Sequence, residues 1–359
     1  MWRDDVRGTR SNYEEVDMRT ISFAAVLAVT LTTIVPPIAM SADGDSLKTI
    51  QARGDLICGA DGKRPGFSAP NSEGVWQGFD VDFCRAVAAA VLGDADKVKY
   101  IALSPAQRFP SLQSGEIDML SRVTTLTLTR AVTLGINFAP VNFYSGTKIM
   151  VHKALNVDSA LDLNGASMCI PPGSSQERAI ADFFRRHNME YNSVVIDNIK
   201  ELGDAYLQNR CDGMASFEPG LALTRLRAGQ TDDHVILPED IEKEPLAPAI
   251  RGGDDQFFNI VTWVVYATFE AEEWGIDSTN VDDMLKSDNP KIQRFLGVSG
   301  DLGEKLGLSN DWAYQIVKQV GNYAEIFENN IGANAPLKLE RGLNELWLNG
   351  GLHYPPPFQ

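Results

Sequence analysis

The 359-residue chain is long enough for two domains of ordinary size, and 44% hydrophobic with 22% charged residues is a globular composition. Its 48 acidic and 32 basic residues leave a net charge of −16. That sign opposes a phosphate-binding surface, and no Lys/Arg cluster offers a local exception, so no nucleic-acid partner is expected.

In chain order, the first feature is an uncharged run from Ile21 to Met40 closed by Pro36 and Pro37, with small residues at Ala39, Ser41 and Ala42. Residues 1–42 read as a secretory signal peptide. The acidic stretch ahead of Met18 is unlike a charged leader, which makes Met18 a candidate for the true start. The competing reading is a membrane anchor, since twenty uncharged residues just span a bilayer. Export changes the meaning of Cys58, Cys84, Cys169 and Cys211. No CxxC or metal spacing joins them, and the two halves of the chain each hold two, which favours Cys58 with Cys84 and Cys169 with Cys211. Four buried free thiols are the alternative.

Asp55 to Cys58 predicts a short strand, followed by a Gly/Pro-rich loop to Trp76 and a helix N-capped by Asp80 that runs to about Leu92. Lys97–Leu103 predicts a strand, Pro105–Ser114 a helix stopped by Gly115, and Ile117–Ser121 another strand, the βαβ rhythm of a parallel sheet. Ala166–Ile170 repeats the pattern, with a helix capped by Ser174 or Ser175, a strand at Ser193–Ile196 and a helix at Glu201–Gln208. The stretches LQSGEIDMLS (112–121) and LQNRCDGMAS (207–216) share helix end, turn, aspartate, strand and serine. Thr147–Lys153 and Leu246–Arg251 are extended and suit two crossover strands. The expected organisation is an α/β clamp of two lobes, 46–147 with 251–359 and 148–250. From Asp254 onward the chain predicts four amphipathic helices, FFNIVTWVVYATFEAEEWG, VDDMLKS, DWAYQIVKQVGNYAEIFENNIG and LERGLNELWLNGG (339–351).

Catalytic signatures are missing: no GxSxG, HExxH, GxxxxGK[ST] or GxGxxG occurs, and His152, His187, His234 and His353 lack ligand spacing. No catalytic residue, metal or cofactor is expected. Binding signals are better. Ser121 to Thr129 carries several hydroxyls from a strand end into Arg130, where α/β sheets present ligands. Pro171-Pro-Gly-Ser-Ser-Gln-Glu177 places a Gly-Ser-Ser turn at a helix start, which favours a carboxylate. A plain N-cap is the competing reading of that turn.

From about Leu47 to the C-terminus the sequence resembles the periplasmic solute-binding proteins of polar amino-acid ABC importers, in particular their general L-amino-acid-binding branch. The resemblance rests on PGFSAP (65–70), GFDVDFCRAVAAAVLGD (78–94), RFPSLQSGEIDMLSR (108–122), TTLTLTR ending at Arg130, DDHVILPE with KEPLAP (232–248), and DNPKIQRFLG with DWAYQIVKQVGNYAEIFE. It implies a periplasmic type II clamp with two hinge strands that closes on an amino acid or related carboxylate and delivers it to a membrane permease. By position it implies that Arg130 forks onto the ligand carboxylate, that Thr125 hydrogen-bonds it, and that Gly173 and Ser175 hold it from the other lobe.

Two positions depart from that pattern. Where the family has an aspartate for the ligand's ammonium, five residues after Asp212, this chain has Phe217, with Glu218 next door on what alternation would make the opposite face. Where an apolar residue lines the family's site, Lys63 and Arg64 stand, and Val123 replaces a polar residue. Losing an anion and gaining cations shifts the expected ligand toward an acidic amino acid or organic acid; otherwise Asp61 or Glu218 takes the ammonium. A dehydratase-like cleft enzyme and a sensor on the same fold are the competing classes.

Overall fold

The computed structural model describes residues 45–229 and 231–359, so the expected signal segment lies outside the described residues. Helix α1 (Ser46–Arg53) leads into β1 (Leu56–Ala60), a small hairpin of β2 (Ala69–Pro70) and β3 (Trp76–Gln77), α2 (Phe79–Leu92), β4 (Val98–Ala102), α3 (Arg108–Ser114), β5 (Met119–Leu120), α4 (Leu128–Thr133) and β6 (Ile136–Phe138). The chain then crosses into β7 (Phe143–His152), β8 (Ser167–Ile170), α5 (Ser175–Arg186), β9 (Asn192–Val195), α6 (Ile199–Leu207), β10 (Gly213–Phe217), α7 (Glu218–Ala228), β11 (His234–Ile236) and β12 (Glu242–Leu246). It returns in β13 (Ala249–Arg251) and continues through α8 (Asp255–Glu273) into a helical tail.

Two sheets result. The first has the order β4-β1-β5-β13-β6; the second is β11-β7-β10-β8-β9, with β12 also paired to β7. In both, three parallel strands come from the βαβ units (β4-β1-β5 and β9-β8-β10), and the strand made by the crossing chain lies antiparallel against them. The second sheet is apolar on both faces. Ile149, Val151, Met168, Ile170 and Ala215 pack with Ile180 and Phe184 of α5, while Met150, Cys169 and Met214 pack with Leu202 and Tyr206 of α6, as the two-residue period of a strand requires.

The repeated aspartates do the same work in each lobe. Asp118 accepts the Ile57 backbone N–H at 2.7 Å, and Asp212 accepts the Ser167 backbone N–H at 2.7 Å. Each residue's own N–H returns to the same partner's carbonyl at 2.9 Å. The carboxylate thus satisfies the first donor of the neighbouring parallel strand, where the ladder has not yet started.

Three expectations are corrected. Asp80 is not the N-cap of α2: Gly78 holds that place at φ 132°, a backbone region open to glycine, and the buried Asp80 carboxylate accepts from the Val123 N–H. The DWAYQIVKQVGNYAEIFENNIG stretch is two helices, α12 (Trp312–Gln319) and α13 (Tyr323–Asn330), following the short α9 (Val281–Met284), α10 (Pro290–Phe295) and α11 (Leu302–Leu306). Gly321 at φ 101° separates them, and Asn322 with Glu325 forms a capping box on the second. The final expected helix, 339–351, is an irregular strap with two 3₁₀ turns. Left-handed Gly342 and Gly350 interrupt it, Arg341 forks onto Glu272 at 2.8 and 3.1 Å, and the Asn344 amide clasps the backbone of Tyr144 at both N–H and C=O, 2.6 and 3.1 Å away. Those tertiary contacts outweigh helix propensity. The strap therefore fastens the start of crossover strand β7 to the first lobe.

Both cysteine pairs form as expected, Cys58 of β1 with Cys84 of α2 and Cys169 of β8 with Cys211 ahead of β10, at Cα separations of 6.3 and 5.7 Å. The closed loops span 26 and 42 residues. Replacing either pair by alanines should lower the unfolding free energy by roughly 3–4 kcal/mol, measurable by equilibrium urea denaturation. A loss below about 1 kcal/mol would contradict this assignment of their role.

Candidate ligand-binding site

The site forms where the C-terminal ends of the parallel strands of both sheets face each other across the crossovers. At the end of β1, Asp61 is buried and its carboxylate meets Arg122, at the end of β5, at 2.9 Å and Arg64 at 3.5 Å. Burial pushes the Asp61 carboxyl up, and the two guanidinium groups more than reverse this, leaving it below the usual range. Arg122 also donates to the Leu103 carbonyl at 2.6 Å.

The segment after Arg122 is held from both sides. Val123 sits at φ 43°, a left-handed conformation that a β-branched residue adopts only under constraint. Its N–H donates to the buried Asp80 carboxylate at 3.0 Å, and its carbonyl accepts from Arg108 at 3.4 Å. The next residues zip onto the returning crossover: the Ala247 N–H donates to the Thr124 carbonyl at 3.0 Å and the Leu126 N–H to the Pro245 carbonyl at 2.8 Å. Thr127 then caps α4 through the Arg130 N–H, and the Arg130 guanidinium folds back onto the Thr125 carbonyl at 2.7 Å and across to the Gly173 carbonyl at 3.5 Å.

On the second lobe Ser174 caps α5, accepting the Glu177 N–H at 3.1 Å, so the alternative that left Ser174 or Ser175 open resolves in favour of Ser174. Ser175 is thereby free to face the crevice, where its hydroxyl lies 2.9 Å from that of Thr125. Both hydroxyls converge on Glu244 of β12. This carboxylate is fully buried and also accepts from Thr147 at 2.6 Å and from the Gln176 amide at 2.9 Å.

Two spaces adjoin at Ser174 and Ser175. A narrow chamber of about 20 Å³ is lined by Arg64, Arg108, Arg122, Gln176 and Phe217 among others. An open groove of about 820 Å³ runs past Thr125, Arg130, Gly173 and Lys243. The chamber has room for about one water, so an amino-acid-sized ligand reaches it only when the lobes separate.

The predicted residues are mostly brought together. Arg130, Thr125, Gly173 and Ser175 meet across the groove, while Asp61 and Arg64 form one ion-paired cluster at the chamber. Phe217 is buried beneath Arg64, whose guanidinium lies 4.8 Å from the ring centroid, and it packs edge-on to Phe67 at 5.1 Å. A Cβ on Gly220 would fall 2.6 Å from that ring, so the position tolerates only glycine. Glu218 stands apart: the strand ends at Phe217, α7 begins at Glu218 with Pro219 in its first turn, and the Glu218 side chain is exposed.

Sequence reasoning gave no role to Glu244 or Arg108, although both lie inside stretches that carried the resemblance. Arg108 is 3% exposed. Among the described residues it has no carboxylate within ion-pair reach, and its Nε has no hydrogen-bond partner. Burial, then the like charges of Arg130 and Arg122, push its pKa down. Phe109 lies between the guanidinium groups of Arg108 and Arg130, 4.8 and 5.0 Å from its ring centroid. Burial also lowers Arg130, to about 10, against the opposing charge of Glu244, so it stays protonated at neutral pH.

Residues 56–332 match the family described as bacterial extracellular solute-binding proteins, family 3. The chain is 51% identical over 336 residues to the general L-amino acid-binding periplasmic protein AapJ of Rhizobium johnstonii, covering 93% of this chain and 96% of that one. It is 46% identical to the glutamate/glutamine/aspartate/asparagine-binding protein BztA of Rhodobacter capsulatus, covering 90% and 96%. Among solved structures, an ABC transporter periplasmic binding protein from Brucella ovis with glutathione bound superposes with a TM-score of 0.85 at 46% identity, covering 88% of this chain and all of that one.

Asp80 offers a test that needs no ligand. Burial raises its pKa from 3.8 to about 7, against the Val123 N–H bond. A raised carboxyl pKa means that the folded state holds the proton more tightly, so this group's contribution to stability is present at low pH and is lost as pH rises from about 4 to about 7. Asp80→Asn keeps the acceptor and removes the titration. Its stability relative to wild type should climb by up to roughly 4 kcal/mol between pH 4 and 8, read by urea unfolding across pH; a flat difference would refute the shift.

Proposed function

The chain belongs to the bacterial extracellular solute-binding proteins, family 3, and we propose that it captures, in the periplasm, an amino-acid-type ligand carrying more than one carboxylate and passes it to an ABC permease. An acidic amino acid or a peptide-like derivative of one, such as a γ-glutamyl compound, has the required charge. A relative whose name includes glutamate and aspartate beside glutamine and asparagine, and a relative holding glutathione, are in keeping with this class.

One observation carries this reading: Arg108, a buried guanidinium that borders the chamber without a carboxylate partner among the described residues. A buried charge is costly unless paired. Around it Arg64, Arg122 and Arg130 are buried as well, against Asp61, Asp80 and Glu244, with Asp80 brought to about 7. The crevice is short of negative charge, and a ligand with two carboxylates supplies it: one at Arg130 and the start of α5, one at Arg108. Phe217 fits the same logic. An aspartate there would neutralise Arg64, whereas the ring supports its guanidinium and leaves its charge available.

We read the site as one that binds without reacting. Asp80, which burial brings to about 7, is turned onto the Val123 amide and lines neither the chamber nor the groove, so it is not placed to act as a general base on a ligand there. The closing motion follows from shared contacts: a carboxylate gripped by Arg130 and Ser175 together is bound best when the lobes meet, so the ligand draws the equilibrium toward closure.

Titration calorimetry should show L-glutamate or glutathione binding at least 100-fold more tightly than L-leucine, and Arg130→Ala should weaken that binding by roughly 30-fold to several thousand-fold. Arg108→Met should abolish the acidic preference while leaving the urea midpoint of unfolding no lower than that of wild type, since the variant no longer buries an unpaired charge. Tight leucine binding by the wild type would overturn the acidic reading.

A further inference from the structure

The crevice holds three buried acids, and each is committed differently. Asp61 is ion-paired with Arg122 and Arg64. Asp80 is turned away onto the Val123 amide. Glu244 is held by four neutral side chains: the hydroxyls of Thr125, Thr147 and Ser175 and the amide of Gln176. All four can donate, as an acceptor-only carboxylate requires, yet none carries a charge. Among the described residues no cationic nitrogen lies within ion-pair reach of it.

Its surroundings also place it beside the carboxylate grip. Arg130 donates to the backbone carbonyl of Thr125 and Glu244 accepts from the hydroxyl of the same residue, so a cation and an anion flank a single threonine. An α-amino acid presents the complementary pair, with carboxylate and ammonium on one carbon. Glu244, on crossover strand β12, draws donors from both lobes and from the other crossover strand, β7, so a group bound there touches the elements that close on one another. Glu218, the other acid near Phe217, is exposed at the start of α7 and has no such access.

From this geometry we infer that Glu244 is the specificity-determining residue that receives the ligand's ammonium group, with Arg130 taking the adjacent carboxylate. The inference rests on the amino-acid reading above and extends it to the second half of the amino-acid head. Thr147 and Gln176 hold the Glu244 carboxylate in place, while Thr125 and Ser175, the two hydroxyls on the groove, turn from it to the incoming ligand.

The test is calorimetry on wild type, Glu244→Gln and Glu244→Asp with two matched pairs, L-glutamate with glutarate and L-leucine with 4-methylpentanoate, the second of each pair lacking the ammonium. Glu244→Gln should weaken the amine-bearing ligand by roughly 30- to 1000-fold and leave its partner unchanged or slightly tighter, with Glu244→Asp in between. Equal losses for both members of a pair would make Glu244 a scaffold residue and overturn the inference, as would no loss. If the glutamine variant fails to fold, wild type still decides: ligands without ammonium binding as tightly as amino acids would overturn it. Tight, Glu244-dependent leucine binding would sustain the inference while sinking the acidic preference. Tight binding of glutarate and not glutamate would do the reverse. Wild type binding none of the four would overturn both.

Discussion

Charges withdrawn from water at the seam between the lobes must find partners, and the Asp61–Arg122 pair is the contact on which the rest of the crevice depends. It ties the ends of two neighbouring parallel strands, β1 and β5, at 2.9 Å. From those ends leave the loop bearing Arg64 and the segment bearing Val123, Thr125 and Arg130. Removing one member of such a buried pair costs about 3–5 kcal/mol because the other is left unmatched. Here it would also release both loops that carry the binding groups. The strained Val123 is the mark of that constraint, fixed between Asp80 and Arg108 at a conformation its side chain disfavours.

The second organising feature is the two-part character of the space. The groove side carries hydroxyls, a helix start and Arg130, with Glu244 buried behind Thr125 and Ser175. The chamber side carries guanidinium groups and a phenylalanine, groups suited to whatever extends from an amino-acid head. On the proposed reading, recognition of class and choice within the class fall to different residues, joined at Ser174 and Ser175.

Much of this was legible in the order of residues. The βαβ rhythm fixes which strands are parallel; the paired cysteines in each half and the repeated Asp118 and Asp212 are local features with local consequences. Arg130 and the Gly173-Ser174-Ser175 turn stand out as a guanidinium after a strand end and a Gly-Ser turn before a helix, although the turn by itself also reads as the N-cap that Ser174 supplies. Glu244 did not. It sits in Glu242-Lys243-Glu244, which reads as a solvated strand face, and only the approach of Thr125, Thr147 and Ser175 from three distant segments buries it. Arg108 was likewise hidden, since nothing local distinguishes an arginine that meets no carboxylate. The terminal strap failed for the opposite reason: its helical periodicity is real, but Asn344 and Arg341 are held by Tyr144 and Glu272, contacts spanning 200 and 69 positions.

The fit of Phe217 over Gly220 sets the terms on which ligand choice can change by mutation. Restoring an acid at 217 alone would leave a void above a side-chain-free residue and would discharge Arg64, while enlarging Gly220 alone would collide with the ring. Each single step disturbs the packing, so the two positions are coupled, and the pairing of ring and glycine is buffered against piecemeal change by the geometry that created it.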